Sequence, residues 1–340
     1  MTVSSLSLRS ILLGSALFLP GLAGAAELNL YTSREPKLVE PLLAAFTAET
    51  GVKVNTVFLK DGLAERVAAE GSASPADILM AVDAGKLADL AARDLTQPID
   101  SQAVLAAVPE ALRDPENHWV ALSMRARVVY AAKDLGLESI TYEELADPKW
   151  KGKICIRSGQ HPYNTGLFAA YLAHHGAEAT EAWLAGLKAN LARKPGGGDR
   201  DGAKDILGGI CDIAVANSYY VGLMRTNEKE PEQKAWGEAI TVLLPSFEGG
   251  GTHVNISGAA LAKHAPNKAE AVRLLEYLTS DAAQKLYAEA NFEYPVKVGA
   301  ELSPVVASFG TLTADALPLR AMVENRKQAS ALVEKLGFDN

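Results

Sequence analysis

Residues 119–133 read Trp-Val-Ala-Leu-Ser-Met-Arg-Ala-Arg-Val-Val-Tyr-Ala-Ala-Lys, an apolar stretch without helical periodicity. A run of this kind favours a buried strand, because a helix would repeat its apolar positions every three to four residues. The stretch stands near the middle of the chain, between two regions in which strands and helices are predicted to alternate. We therefore predict an extended segment that crosses from one half of the protein to the other.

Short apolar segments alternate with helical segments on both sides of this stretch. Before it, strands are predicted at 28–31, 52–59 and 76–82, with helices between them. After it, predicted strands at 153–157 and 212–216 enclose further helices. Strands that alternate with helices of about 10–15 residues are typical of parallel α/β units. The sequence therefore predicts two α/β halves.

A second apolar stretch, 240–262, contains Gly249-Gly250-Gly251, a run suited to a hinge or a tight turn. We predict that it also crosses between the halves, and that the chain is helical from Pro266 on. The fold class is then α/β and bilobal, with two lobes joined by two crossing strands and a cleft between them that closes by hinge motion. The predicted first lobe is 26–125 with about 250–300, and the second is about 126–249 with 301–340.

The first 25 residues have the pattern of a secretory signal peptide. Arg9 supplies positive charge, residues 11–22 form a short apolar core, and Ala23-Gly24-Ala25 fits a cleavage site. The core is too short to span a bilayer. We expect export with cleavage, which removes only Arg9 and takes the formal net charge from −8 to −9. An acidic chain argues against nucleic-acid binding, since that function needs a basic surface.

Cys155 and Cys211 are the two cysteines of the chain. In an exported protein a disulfide is the expected state, although two separate buried thiols remain an alternative. Cys155 lies eight residues before Tyr163, and Cys211 lies eight residues before Tyr219. A bridge would therefore tie together two segments that each carry a tyrosine.

Tyr219 and Tyr220 are adjacent in Val215-Ala-Asn-Ser-Tyr-Tyr-Val-Gly222. Neighbouring side chains diverge in a regular strand, so the two phenols converge only from a bent segment or from a helix start. Phenolate is a hard oxygen donor that suits a hard cation, and a highly charged ion such as Fe³⁺ supplies the free energy of deprotonation. One buried and one surface tyrosine at a strand end is the alternative that the pair alone leaves open.

The chain resembles the periplasmic ferric-ion-binding proteins, transferrin-like receptors that deliver iron to ABC importers, over essentially its whole mature length. The motifs that carry the resemblance are Leu30-Tyr-Thr-Ser-Arg-Glu-Pro36, Glu70-Gly-Ser-Ala-Ser-Pro-Ala-Asp-Ile78, Ser123-Met-Arg-Ala-Arg-Val-Val129, Pro148-Lys-Trp-Lys-Gly-Lys153, Asn217-Ser-Tyr-Tyr220 and Ser257-Gly-Ala-Ala260. The resemblance implies a periplasmic-binding-protein fold, a periplasmic and monomeric protein without catalytic activity, Fe³⁺ as the transported ligand, and an inner-membrane ABC permease as the partner.

The resemblance also implies a ligand set. Tyr219 and Tyr220 match the paired phenolate ligands, and Tyr163 matches a third tyrosine of several branches. Glu35 stands where some relatives have a histidine ligand, and direct ligation by Glu35 competes with an ordinary role at a helix start. Where another branch has a glutamate ligand, this chain has Val82-Asp83. The chain is therefore similar to the branch that uses three tyrosines with carbonate.

The same resemblance assigns arginine to a synergistic anion such as carbonate. Arg125 or Arg127 matches the anion-holding residue, and the sequence leaves open which of them faces the cleft. Arg34 and Ser158 are further candidates, each with an ordinary turn residue as the alternative. Three phenolates cancel the charge of Fe³⁺, and arginine binds an oxyanion through two hydrogen bonds.

Two other functions compete with iron binding. A receptor of the same fold could bind an organic or oxyanion solute, with the tyrosines stacking on it or donating hydrogen bonds. A secreted hydrolase could use an oxyanion site at Arg125 and Arg127, but the sequence contains no pattern of an activated nucleophile.

Overall fold

The computed structural model describes residue 1 and residues 26–340. The predicted signal peptide, apart from its first residue, lies outside this part of the chain. In the described part, no helix is long and apolar enough to cross a membrane. The strands are β1 (Glu27–Thr32), β2 (Lys53–Phe58), β3 (Ile78–Ala81), β4 (Thr96–Gln97), β5 (Trp119–Ala132), β6 (Ile154–Cys155), β7 (Ile213–Asn217), β8 (Ile240–Leu243), β9 (Val254–Ala262) and β10 (Tyr294–Pro295).

Helices follow most strands, as the alternating pattern predicts. They are α1 (Glu40–Thr50), α2 (Leu63–Glu70), α3 (Ala84–Ala92), α4 (Gln102–Ala107), α5 (Pro162–Ala189), α6 (Asp199–Leu207), α7 (Tyr219–Arg225), α8 (Glu232–Glu238), α9 (Lys268–Leu278), α10 (Asp281–Asn291), α11 (Pro304–Ala307) and α12 (Leu319–Lys335).

Strand β5 belongs to two groups of strands, which confirms the predicted crossing segment. Its first half pairs antiparallel with β9, from Trp119 to Ala126. Its second half pairs antiparallel with β7 from Arg127 onward, and then with β8. The strand order is β2-β1-β3-β9-β5-β7-β6, with β1, β2 and β3 parallel to each other and β6 parallel to β7. The change of partners thus falls between Ala126 and Arg127, inside one continuous strand.

The second predicted crossing is interrupted. β8 ends at Leu243 and β9 begins at Val254, so residues 240–262 do not form one strand. The glycine run makes the turn between them: Gly249 has a φ of 75°, which is the left-handed region. At Gly251, an added Cβ would lie 2.5 Å from the carbonyl oxygen of Thr313, so only glycine allows this close approach. The assignment of the other segments to lobes stays a prediction.

The predicted disulfide is present between Cys155 and Cys211. Cys155 ends β6 and pairs with Ala214 of the parallel neighbour β7, while Cys211 lies just before β7. The bridge therefore joins two segments that the sheet already places side by side. Each segment continues into the start of a helix that carries tyrosine, α5 or α7.

Candidate functional site

Helix α7 begins at Tyr219, directly after strand β7 and the turn residue Ser218. The rings of Tyr219 and Tyr220 lie with their centroids 4.2 Å apart and are inclined by 31°. If β7 continued as a strand through Tyr219 and Tyr220, the two side chains would point to opposite faces of the sheet. The helix start instead places them side by side, which is one of the two arrangements that the sequence predicted.

Tyr163 joins this pair from the first turn of α5. Its phenol oxygen lies 3.3 Å from that of Tyr219, within hydrogen-bond distance. His161 caps the helix, because its Nδ1 accepts a hydrogen bond from the backbone N–H of Tyr163 at 3.2 Å. The His161 ring also packs edge-on against the Tyr163 ring at 4.5 Å. The structure thus brings all three predicted tyrosine ligands together.

The three tyrosines line a cavity of about 840 Å³. Arg34, Glu35, Arg125 and Glu293 line the same cavity. Phenol and guanidinium groups therefore share one solvent-connected space, which is large enough for a metal ion together with an anion. Oxygen ligands of this kind suit a hard cation.

Burial keeps the phenols of the pair protonated. It raises the pKa of Tyr219 well above the ordinary value of a phenol; the neighbouring phenols add to this rise, and Arg125 opposes it. Burial, followed by the presence of Tyr163, raises the pKa of Tyr220 to about 12. Deprotonation near neutral pH therefore needs a cation that binds the phenolates strongly enough to displace the protons.

Arg34 and Arg125 stand beside the phenols. Each donates a hydrogen bond through Nη1 to the Ser257 hydroxyl at 2.6 Å. Nη2 of Arg34 donates to Glu293 Oε1 at 3.0 Å, and Oε2 of the same carboxylate accepts from the Ser123 hydroxyl. Of the two arginines that the sequence left open, Arg125 is the one that lines the cavity.

Arg127 is not among the residues that line the cavity. Its guanidinium donates to Asp199 Oδ2 at 2.7 Å, to Asn217 Oδ1 at 3.0 Å and to Asn164 Oδ1 at 2.6 Å. It lies 5.9 Å from the centroid of the Tyr163 ring. Because β5 changes partners at this residue, Arg127 is drawn into contacts with the β7 side and with the start of α5. These contacts link β5 to the segments that carry Tyr163 and Tyr219.

Ser158 and Glu35 also have other partners. The Ser158 hydroxyl donates to Asp339 Oδ2 at 2.6 Å, and Ser158 is not among the residues that line the cavity. Glu35 does line the cavity, but its side chain is 60% exposed and pairs with Lys37 at 3.0 Å. The structure therefore places Glu35 at the mouth, and Ser158 outside the site.

Asp83 lies where another branch of the family has a glutamate ligand, and here its carboxylate accepts hydrogen bonds from several protein groups. It caps α3 by accepting from the backbone N–H groups of Gly85 and Lys86. Asn255 and Arg326 also donate to its carboxylate. The nearby Arg326 guanidinium helps to lower the pKa of Asp83, against the opposing effect of burial. This carboxylate is structural in the present arrangement.

Glu293, Ser257 and Ser123 are site residues that the sequence did not single out as functional. Glu293 follows α10 in a segment without a recognisable motif, and it meets Arg34 across a separation of 259 residues. Ser257 lies in one of the motifs that carry the resemblance, yet nothing local marks its hydroxyl as the acceptor for two arginines. Only the tertiary arrangement identifies this cluster.

The chain is similar to known proteins over most of its length. A profile of the family described as bacterial extracellular solute-binding protein matches residues 31–285. Iron uptake protein A1 of Synechocystis sp. is 42% identical over 315 residues, covering 92% of this chain and 87% of the relative. The solved Bordetella ferric binding protein is 63% identical with a TM-score of 0.90, covering 92% of this chain and all of the other.

A Trichodesmium protein solved with iron and citrate ligands is 40% identical with a TM-score of 0.87, covering 92% of this chain and all of the other. Likeness over nearly the full length of solved ferric-binding proteins confirms the predicted bilobal α/β fold. The chain belongs to the bacterial extracellular solute-binding protein family and, within it, to the periplasmic ferric-iron-binding proteins.

Proposed function

We propose that this protein captures Fe³⁺ in the periplasm through the phenolates of Tyr163, Tyr219 and Tyr220. The observation that carries the proposal is the convergence of three phenols from two helix starts, with the Tyr163 and Tyr219 oxygens 3.3 Å apart. Three phenolates balance the charge of Fe³⁺, so the buried site is left without an uncompensated metal charge. Relatives named for ferric iron binding and iron uptake support this assignment.

An anion completes the coordination in this proposal. Arg34 and Arg125 line the cavity together with Tyr219, and both donate to the Ser257 hydroxyl. Glu293 is the carboxylate that pairs with both of them, at 3.0 Å from Arg34 and 3.9 Å from Arg125. Arginine is always charged and matches the geometry of an oxyanion. Carbonate or a similar small oxyanion would fill the positions that three phenolates leave open on a six-coordinate ion.

Delivery to an inner-membrane ABC permease follows from the type of protein that the relatives represent. We infer a monomer with two lobes, 26–125 with about 250–300 and about 126–249 with 301–340, that carries iron without chemical conversion. Because Tyr163, Tyr219 and Tyr220 all fall in the second of these lobes, iron could bind before the lobes close.

The test is a titration of iron-free protein with ferric nitrilotriacetate. Phenolate-to-iron charge transfer should give a visible absorption band that saturates at one iron per protein. Tyr219→Phe and Tyr220→Phe should each abolish the band or lower the affinity severely. Tyr277→Phe is the matched control, because that tyrosine packs against Phe46 and does not line the cavity. A colourless solution with an unchanged melting temperature would overturn the proposal.

A receptor for an organic or oxyanion solute is the second candidate, favoured by a cavity of about 840 Å³. Such a protein would carry a small molecule through purification. Mass spectrometry of the purified protein, first under native conditions and then after denaturation, distinguishes the two functions. Release of an organic ligand from protein that takes up no iron would support the solute receptor.

A further inference from the structure

Phe292 has a backbone conformation that is rare for a large side chain. It follows α10 with a φ of 56° and a ψ of 30°, which is the left-handed region. Its N–H donates to the Ala288 carbonyl at 3.0 Å and closes the end of the helix. Glycine is the usual residue at this position, because a Cβ is strained there.

The comparison with other residues in this conformation sets Phe292 apart. Among the described residues, the other non-glycine residues with positive φ are Asp94 and Asn117, two types that tolerate this region. A bulky aromatic residue does not. A phenylalanine that remains in a strained conformation points to a role for its ring.

The ring of Phe292 lies against the backbone of α7 at Gly222. A Cβ added to Gly222 would lie 2.1 Å from Phe292 Cγ, 2.4 Å from Cδ1 and 2.6 Å from Cδ2. No residue larger than glycine fits there while the ring stays in place. Glycine inside a helix is itself unfavourable. Phe292 and Gly222 are therefore two locally poor choices that fit each other.

Gly222 is close in the chain to the tyrosine pair. It is buried, and it lies one helical turn after Tyr219 and two residues after Tyr220. Residues three apart on a helix are neighbours on its surface. Because α7 has only seven residues, a displacement at Gly222 moves the helix start that the two tyrosines occupy.

The residues on either side of Phe292 hold it to another part of the cavity wall. Asn291 Nδ2 donates to the Leu38 carbonyl at 3.1 Å, and Glu293 pairs with Arg34 at 3.0 Å. Leu38 and Arg34 both line the cavity, in the segment after β1. Phe292 is thus tethered on both sides, and its ring connects this segment with the helix that carries the tyrosine pair.

We propose that Phe292 is a positioning residue for the tyrosine pair. Its ring, seated against Gly222, fixes the place of α7 and hence of the Tyr219 and Tyr220 phenols. Phe292 does not line the cavity, so it acts through α7 and not on the ion. The effect on iron rests on the proposed function, but the position of α7 can be measured without iron.

The first test compares iron titrations of Gly222→Ala, Phe292→Gly and the double variant. Removing an outer contact that orients a metal ligand lowers metal affinity by about 10–100-fold. Each single variant should show a loss of this order together with a shifted visible band. The double variant has no ring for the added methyl group to meet. It should therefore lose no more than Phe292→Gly does, whereas independent effects would multiply.

Two choices separate positioning from stability. Glycine suits the left-handed backbone, so a loss of affinity in Phe292→Gly does not come from a strained helix end. Leu184→Ala is the control for lost buried apolar volume. Leu184 is fully buried in α5 beyond the bend at Gly176, and it does not line the cavity. This control should lower the melting temperature and leave the iron band in place.

Crystal structures of the iron-free variants give the second test. In Gly222→Ala, the contact of 2.1 Å must open to an ordinary carbon–carbon distance of about 3.5–4.0 Å, which should displace the start of α7 by about 1 Å. The separation of 3.3 Å between the Tyr163 and Tyr219 oxygens should then change.

Three results would overturn the proposal. They are an undisplaced α7 in folded Gly222→Ala, iron losses that multiply in the double variant, and unchanged iron affinity with an unshifted band in Phe292→Gly. The last of these decides the matter if Gly222→Ala does not fold.

Failure of the iron function has a different signature. A displaced α7 in Gly222→Ala, in a protein that shows no iron band even when unaltered, would reject the proposed function and support this inference. A normal iron band that Phe292→Gly leaves unchanged would do the reverse.

Discussion

The phenol oxygens of Tyr163 and Tyr219 lie 3.3 Å apart, although 56 residues separate them in the chain. The disulfide partners Cys155 and Cys211 have the same separation of 56. Strands β6 and β7 are parallel neighbours. Each tyrosine lies eight residues after its cysteine, so both tyrosines follow the carboxyl ends of these strands, at the same edge of the sheet. The bridge and the tyrosine pair therefore belong to one structural unit.

Removing this bridge should destabilise the protein. On the chain-entropy model, a bridge across 56 residues contributes about 4 kcal/mol to the free energy of unfolding. We expect a loss of this order in Cys155→Ser/Cys211→Ser, measured by denaturant unfolding of iron-free protein. The unaltered protein under reducing conditions is the control and should lose a similar amount. Equal unfolding midpoints for the double variant and the oxidised protein would contradict the prediction.

Glu35 should matter much less for iron than the tyrosines do. Its side chain is 60% exposed and pairs with Lys37, whereas Tyr219 and Tyr220 adjoin Tyr163 inside the cavity. We expect Glu35→Ala to change iron affinity far less than Tyr220→Phe. Small-angle scattering should show only slight compaction on iron loading, because the ligands come from one side. Loss of binding in Glu35→Ala comparable to that in Tyr220→Phe would show that Glu35 is a ligand.

Iron binding should release protons and strengthen as the pH rises. Burial raises the pKa of Tyr220 to about 12 and that of Tyr219 further above its ordinary value, so both phenols are protonated at neutral pH. Binding converts them to phenolates, and protons compete with iron at lower pH. The affinity should therefore rise by up to about tenfold per pH unit for each proton released.

Proton release can be followed with an indicator in weakly buffered solution during loading from ferric nitrilotriacetate. The Tyr277→Phe control should release as many protons as the unaltered protein, since Tyr277 lies outside the cavity lining. Tyr219→Phe should release fewer. Equal release by Tyr219→Phe and the control would exclude Tyr219 as a phenolate ligand.

Arg127 should be important for stability and for the position of the tyrosines. It donates to Asn164, beside Tyr163, and to Asn217, two residues before Tyr219, while its charge is paired with buried Asp199. Removing one partner of a buried ion pair costs about 3–5 kcal/mol when the other charge is left unpaired. Because Arg157 also pairs with Asp199, at 3.1 Å, we expect Arg127→Met to lower the free energy of unfolding by a smaller amount, about 1–3 kcal/mol, for the hydrogen-bond acceptors left without a donor.

A matched surface control is Arg320→Met, which breaks an exposed pair with Glu324 and should cost at most about 1 kcal/mol. If Arg127→Met folds, its iron band should be shifted or weakened, because two ligand segments lose a shared anchor. Equal free energies of unfolding for Arg127→Met and Arg320→Met would show that the buried Arg127–Asp199 pair contributes little to stability.

Local patterns in the sequence determined the elements and part of the site. The apolar run at 119–133 predicted β5, and the cysteines predicted their bridge. For adjacent Tyr219 and Tyr220, backbone geometry allowed the two phenols to converge only from a bent segment or a helix start, and the structure has the helix start. These features depend on periodicity, backbone geometry and redox state, which act over a few residues or require only that two partners exist. The tyrosine ligand set itself came from family resemblance.

The tertiary structure alone decided which charged groups meet. Arg125 and Arg127 are two residues apart, yet β5 changes partners between them, so Arg125 lines the cavity and Arg127 pairs with Asp199. Glu293 reaches Arg34 across 259 residues. Such contacts are long-range: burial makes an unpaired charge costly, and the partner that compensates it is chosen by the packing of distant strands and helices, which no local pattern encodes.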